Sequence, residues 1–336
     1  MYAEVDEEGG TAHPPLKTLR APSLSLAMLD FSFLPLKLVL IPTTPIKLPP
    51  YKGSTFRGAF GSTFRQVVCV LRGKECSDCI LREKCAYSYV FETPVPSGAS
   101  KMRKYPYAPH PFVLVPPLED RMEYEPGDPL YVSLTLIGRG IEYLPYFLYT
   151  FQEMGKRGIG KGRGKFQLQG VRDSTGEAVY EGGTLRLPQP LSWRDLEGEM
   201  APDEVTLRFL TPLRVKYRER LCSDLEFHVL MRALLRRISL LSFFHCGCEL
   251  QVNFRRLIEE AGAVAVKDNT LRWHDWMRYS YRQRAKLKMG GLIGEITFGG
   301  DLEPFWPFLQ LGQWIHVGKG TSFGLGRYEI VSRSGA

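Results

Sequence analysis

Four cysteines, Cys69, Cys76, Cys79 and Cys85, fall within seventeen residues of a 336-residue chain. Cys76 and Cys79 have the C-x2-C spacing that turns two thiolates toward one ion, and the flanking pair can complete a tetrahedral set. Zinc suits such a set, an iron–sulfur cluster is compatible with the spacing, and so are four reduced thiols without metal. A metal held by four thiolates is structural, because no position stays open for water. His245, Cys246 and Cys248 form a second group, whose C-x-C pair is a poor geometry for one zinc.

Glycine and lysine alternate in two places, "GIGKGRGK" at 158–165 and "GKGTSFGLG" at 318–326. A phosphate-binding P-loop needs Ser or Thr after its lysine and then a helix. Here Gly320 follows Lys319, and the residues beyond read as a strand. A dinucleotide loop needs its glycines after a strand and before a helix, the reverse of the order found. What the loops keep is bare backbone able to approach a phosphate, at Gly318 and Gly320 above all. Lys161, Arg163, Lys165 and Lys319 supply charge. A third cationic stretch is "RYSYRQRAKLKMG" at 278–290. Read as one β-strand, it sets Arg278, Arg282, Arg284, Lys286 and Lys288 on one face, which could follow a polyanion. Trp276 shares that parity and could stack an unpaired base, while Tyr279 and Tyr281 fall on the packed face.

These groups need a scaffold, and the same order of elements is written twice. Residues 36–49, "LKLVLIPTTPIKLP", read as an edge strand and its exit. A helix begins near Ser54. After the cysteines come the strand-like "YVFETPV", "PFVLVPP" and "PLYVSLTLIG", a helix from about Gly140 to Met154, and the strand "FQLQGV". In the second half "EVTLRFLTPLRVK" is a strand, and Ser223 with Glu226 form a capping box. Phe227, Leu230, Leu234, Ile238 and Leu241 then follow at helical spacing. The basic stretch and "GEITFGG" read as strands, "EPFWPFLQLG" as a short helix, and the second glycine loop leads into a last strand. "TTPIK" is echoed by "LTPLR", and Gly160-Lys161-Gly162 by Gly318-Lys319-Gly320, each across about half the chain, as in a diverged duplication. Each half fits β-α-β-β-α-β, the ferredoxin-like order. The expected fold class is α+β: two tandem ferredoxin-like domains, each with a glycine-rich loop before its last strand, and a cysteine-rich insertion at 69–85 in the first. The expected boundaries are a flexible extension 1–24, an N-terminal domain 25–187, a linker 188–203 and a C-terminal domain 204–336.

A net charge of +8 and a pI near 9.1 favour a polyanionic partner, nucleic acid or an acidic membrane surface. No apolar run is long enough to span a bilayer, and the acidic start "MYAEVDEEGG" is not that of a signal peptide. The cytoplasm is the expected location. Seven cysteines, an odd number, suit reducing surroundings better than a disulfide framework.

Three stretches together resemble the RAMP superfamily of CRISPR-associated proteins: "GKGTSFGLG", "YKGSTFRGAFG" after the first strand, and "WHDWMRYSYRQRAKLKMGGLIGE". Within it the resemblance is to the endoribonucleases that process precursor CRISPR RNA, and it covers most of the chain from about residue 35. It implies two ferredoxin-like domains side by side with a CRISPR repeat RNA bound across them. It further implies metal-independent cleavage by 2′-hydroxyl attack, leaving a 2′,3′-cyclic phosphate, with no cofactor for catalysis. Other CRISPR effector-complex subunits are further expected partners.

Such a cleavage needs a proton acceptor for the 2′-hydroxyl, a donor for the leaving 5′-oxygen, and a cation on the phosphorane. Of six histidines, His316 stands beside the second glycine loop and leads. His13 lies in the extension, His110 between prolines reads as a surface residue, and His228 as a structural one. His245 and His274 are minor candidates. Members of the family often carry a catalytic histidine near the first helix, but no histidine occurs from Leu36 to Ala108. The corresponding segment offers Tyr51, Lys52 and Arg57, so the candidate catalytic set is His316, Lys52, Tyr51 and Arg57. Without a working set the chain would be a noncatalytic RNA-binding RAMP subunit of an effector complex. A third reading makes the cysteine insertion a nucleic-acid-reading finger on a DNA-binding scaffold.

Overall fold

Phe56, Phe60 and Phe64 recur every fourth residue, which gives one helix an aromatic face. In the computed structural model, which describes residues 31–196, 200–275, 277–280 and 285–331, that helix is α1 (Gly53–Val68). It follows β1 (Ser32–Pro42) and precedes β2 (Phe112–Val115), β3 (Leu130–Ile137), α2 (Leu144–Arg157), β4 (Phe166–Asp173) and β5 (Ala178–Glu181). The antiparallel sheet of this half runs β2-β3-β1-β4-β5. The second half has β6 (Glu204–Leu213), α3 (Phe227–Leu241), α4 (Phe254–Ala261), β7 (Ala265–Asn269) and β8 (Arg272–His274). It continues with β9 (Met277–Ser280), β10 (Ala285–Lys288), β11 (Gly291–Gly299), α5 (Trp306–Ile315) and β12 (Tyr328–Val331). Its main sheet runs β7-β11-β6-β12, with β8 also on β11. In both halves the first strand lies between the third and fourth of its β-α-β-β-α-β order, and the second lies outside the third.

Each sheet has its own core. Phe60 of α1 stacks on Phe147 of α2 with ring centroids 4.9 Å apart, above Leu36, Leu38 and Leu40 of β1. Burying a phenylalanine of this kind contributes roughly 2–3 kcal/mol. In the second half Leu230, Leu234 and Ile238 of α3 pack with Phe308 and Leu309 of α5. Phe31, Phe33 and Ile137 belong to this second core although they precede or form strands of the first half, so the two cores meet at β1.

Several expected elements differ. β1 is central, flanked by β3 and β4, not an edge strand. Its Pro35 is tolerated because pairing with β4 begins only at Leu36. "YVFETPV" is not a strand: Ser88–Glu92 is a single π-type turn that ends at Thr93 in a left-handed conformation. The helix cap at Ser223 is absent: Glu226 is the N-cap and makes no side-chain cap bond. The basic stretch is two strands, β9 and β10, paired with each other. Their register sets Arg278 opposite Leu287 and Lys286 opposite Tyr279, so the alternation of one continuous strand does not run through. Arg282, Arg284, Tyr281 and Trp276 lie outside the described residues, as does the 1–24 extension. Within the segment read as a linker, Leu191–Ser192 pairs with β1 and Trp193 is buried in the second core. Among the described residues no helix is long and apolar enough to cross a membrane.

Candidate nucleic-acid interface and active site

The echoed sequences meet in space. In the first half the Lys161 amide donates to the Lys47 carbonyl at 2.9 Å, and the Lys165 amide to Thr44 Oγ1 at 2.8 Å. In the second half the Lys319 amide donates to the Arg214 carbonyl at 2.8 Å, and the Arg327 amide to Thr211 Oγ1 at 2.9 Å. A threonine and a basic residue at the end of the first strand thus clasp the glycine loop before the last strand, in both halves. Gly160 and Gly318 sit at positive φ directly against those carbonyls, where any Cβ would collide. Only glycine meets both demands.

The clasps gather cations. Lys47, Lys161, Arg163 and Lys165 are exposed around the first loop, and Lys47 is ion-paired with Glu123 at 2.9 Å. Around the second loop stand Arg214, Lys216 and the exposed Lys319. Burial, then Lys216 and Arg214, lower the Lys319 ammonium below the ordinary lysine range. Mutually repelling cations of this kind favour an anion between them.

The second loop is also gripped by the first half. Tyr51 OH donates to the Phe323 carbonyl at 2.6 Å, and Gly53 backs onto that carbonyl with no room for a side chain. Arg57 donates from Nε to Ser322 Oγ at 3.0 Å and from Nη2 to His110 Nε2 at 2.9 Å. Its guanidinium is sandwiched between Phe91 and Phe323, 4.4 Å from each ring centroid. His110 Nε2 accepts, so Nδ1 carries the proton and donates to Thr93 Oγ1 at 2.7 Å. Thr93 in turn donates to the Val90 carbonyl at 3.3 Å. The chain of bonds has one consistent direction, and it requires a neutral imidazole. Burial and then Arg57 push His110 well below the usual histidine range. His110 is therefore no surface residue. Its place between Pro109 and Pro111 hides this in the sequence, because a proline bracket is read as exposed loop.

The other expected residues are placed as follows. Tyr51 is kept protonated by burial. Lys52 is buried, with Nζ donating to the Glu119 carbonyl at 2.6 Å; burial lowers it while Glu119 and Asp120 act the other way. His316 caps α5 at φ +63°, a left-handed conformation costly for a non-glycine residue. Its Nδ1 donates to the Leu325 carbonyl at 3.1 Å, and burial pushes it down to about 3. It lines a cleft of about 380 Å³ between the halves with Lys37, Thr135, Trp314 and Arg327. Tyr51, Arg57 and His316 thus meet at the second loop, on Phe323, Ser322 and Leu325, whereas Lys52 is engaged elsewhere. His245 joins the halves too: Nε2 donates to the Pro109 carbonyl at 2.7 Å and Nδ1 accepts from Tyr89 OH at 3.0 Å. His228 contacts Tyr217 and Glu226, and His274 is exposed on β8.

The cysteines are all reduced and half-buried. Arg65 stands among them, hydrogen-bonded to Cys69 and close to Cys76, whose thiol burial pushes up. The donor set suits zinc, but the arrangement does not. Among the described residues no three His, Cys, Asp or Glu side chains are grouped to hold a metal ion.

A family model described as an N-terminal domain matches residues 31–191, and that of the CRISPR-associated endoribonuclease Cas6 matches residues 207–328. An uncharacterized protein of Archaeoglobus fulgidus is 25% identical over 301 residues, covering 85% of this chain and 93% of that protein. A Thermus thermophilus Cas6 structure is 18% identical and covers 90% of this chain and 99% of its own, with a TM-score of 0.54. A product complex of that Cas6 covers 91% and 100% at the same identity, with a TM-score of 0.55. A partial Cas6-RT-Cas1–Cas2 complex is 15% identical and covers 91% of this chain and 47% of its own, with a TM-score of 0.56. At these identities the structures speak for a shared fold alone, and the match to the Cas6 family is confined to the second half. Over residues 207–328 the chain matches the family of the CRISPR-associated endoribonuclease Cas6, and its overall fold is similar to that of Cas6 structures.

Proposed function

We propose that this protein is a metal-independent endoribonuclease that cleaves CRISPR repeat RNA in precursor transcripts, by 2′-hydroxyl attack giving a 2′,3′-cyclic phosphate. The observation that carries the reading is the second glycine loop, held by Tyr51 and Arg57 from the other half and ringed by Arg214, Lys216 and Lys319. Such a loop offers backbone and cations to a phosphorane while its position is fixed by both halves. Lys319, held below the ordinary lysine range, is the group we assign to the phosphate and leaving oxygen. His316 is neutral at working pH and is our candidate acceptor for the 2′-proton. The backbone of β9 and β10, with Arg278, Lys286 and Lys288, and the first loop, with Lys161, Arg163 and Lys165, would carry flanking phosphates. We read the two halves as diverged ferredoxin-like repeats.

A noncatalytic RNA-binding RAMP subunit is the second reading. It is favoured by one observation: Tyr51, Lys52 and His316 are each committed to a backbone carbonyl. One assay separates the two. Under the first, repeat RNA is cut in EDTA, and a single 2′-deoxy substitution at the scissile nucleotide blocks the cut. Tight binding without cutting between pH 6 and 9 establishes the second.

A structural zinc at Cys69, Cys76, Cys79 and Cys85 is a separate proposal, and it requires this segment to draw its thiols together from the arrangement around Arg65. One equivalent of zinc in purified protein, lost with Cys76→Ser, supports it. Four freely titrating thiols in metal-free protein refute it.

A further inference from the structure

The groove between α3 and α4 has no role in the site above. It encloses about 500 Å³ and is lined by Arg232, Arg236, Ser239, Phe254, Arg255 and Ile258, among others. Arg232 and Arg236 stand one turn apart and exposed on α3. Arg255 is ion-paired with Glu259 at 3.0 Å, which leaves the two α3 arginines as surplus positive charge. Phe254 is exposed at the rim. The first half reaches this groove as well. Lys101 Nζ donates to Ser239 Oγ at 3.1 Å, and the guanidinium of Arg236 lies 5.7 Å from the ring centroid of Tyr105. Tyr105 is itself 53% exposed, so its ring is open to a second partner. It is also close enough to Lys319 to act on that charge. Tyr105 thus lies against Arg236 at the groove and within electrostatic reach of Lys319 on the second glycine loop.

We propose that this groove takes single-stranded RNA running on from the glycine-loop site, with Tyr105 and Phe254 stacking bases and Arg232 and Arg236 meeting phosphates. The inference rests on the RNA reading above. An acidic helix would also satisfy the arginines, but the exposed Tyr105 and Phe254 rings beside them suit the bases of a single strand, and Tyr105 stands in electrostatic reach of Lys319.

The test uses the full chain and fluorescein-labelled repeat RNA from the host's CRISPR array, bare or extended by ten uridines at either end. Extension at one end should tighten binding about tenfold, the yield of one stacked base. Arg232→Glu with Arg236→Glu should abolish that gain and leave bare-repeat binding within twofold. Tyr105→Ala should abolish most of it by removing the stack without changing charge. A gain that survives in both variants overturns the proposal, as does the absence of any gain in the unaltered protein. Binding of a glutamate-rich helical peptide that depends on Arg232 and Arg236, with the flank gain unchanged, reassigns the groove to a protein. No binding of the bare repeat removes the RNA reading and this inference together.

Discussion

Arg57→Ala is expected to lower RNA cleavage about a hundredfold and the melting temperature by roughly 6–10 °C, while leaving the salt dependence of RNA binding unchanged. Two aromatic faces and two hydrogen bonds fix this guanidinium. Their loss, with His110 left lacking its donor, costs about 3 kcal/mol, which for a chain of this size is a shift of that order. The activity loss is larger because the bond to Ser322 sets the loop carrying Lys319, and a displacement of about 1 Å at a reacting centre costs about a hundredfold. Arg57 is occupied by protein groups, so removing it releases no counterion. Lys319→Ala, by contrast, should reduce the slope of log K against log salt by about 0.7, one single-strand phosphate contact. Arg57→Lys should behave like alanine, since one ammonium cannot reach Ser322 and His110 while lying flat between two rings. Rescue by lysine, or a reduced slope in the alanine variant, would make Arg57 a phosphate ligand.

Stability should fall steeply as pH drops from 7 to 5, by on the order of 5 kcal/mol, measured by urea unfolding at each pH. Three histidines are neutral in the folded protein, two of them buried and His110 half-buried: His110 is held well below the usual range, His245 is lowered to about 4, and His316 to about 3. Burial is the first cause in each case. Unfolding restores the ordinary value near 6.5, so the unfolded chain binds more protons than the native one below that pH. The stability these groups contribute is complete above about pH 6.5 and is lost as pH falls toward their folded values. Each contributes about 1.4 kcal/mol per pH unit in that window. Their tautomers agree with this sign, since each ring has one nitrogen donating and, in His110 and His245, the other accepting from a protein group. Protonation would therefore break Arg57 from His110, and Tyr89 from His245, a bond that joins the halves. A flat profile from pH 7 to 5 would show that these rings are accessible to solvent.

Most of the elements were open to a reading of the sequence. α1 and α3 follow from apolar residues at helical spacing, and β1 to β4, β6, β11 and β12 from β-prone runs, whereas α4, β5, β7 and β8 were not read, and β7 holds the sheet position expected of the basic stretch. The paired "TTPIK" and "LTPLR", with their two glycine loops, marked a repeat, and the structure showed that each pair holds its own loop. Errors arose where local pattern competes with context. The "YVFETPV" run has strand composition but closes a π-type turn, and the alternation of 278–288 hid a reversal of direction between β9 and β10.

Sequence alone determined the periodic elements, the repeated loop and its cations, and the resemblance to the RAMP superfamily, because each is written in the spacing of near neighbours. Only the tertiary structure decided that Arg57 lies between two rings, that the half-buried His110 accepts from it, and that the second loop is gripped from the first half. Those contacts join residues 53 and 265 positions apart. Partners at such separation are chosen by sheet order and by which faces pack together, and no local spacing carries that information.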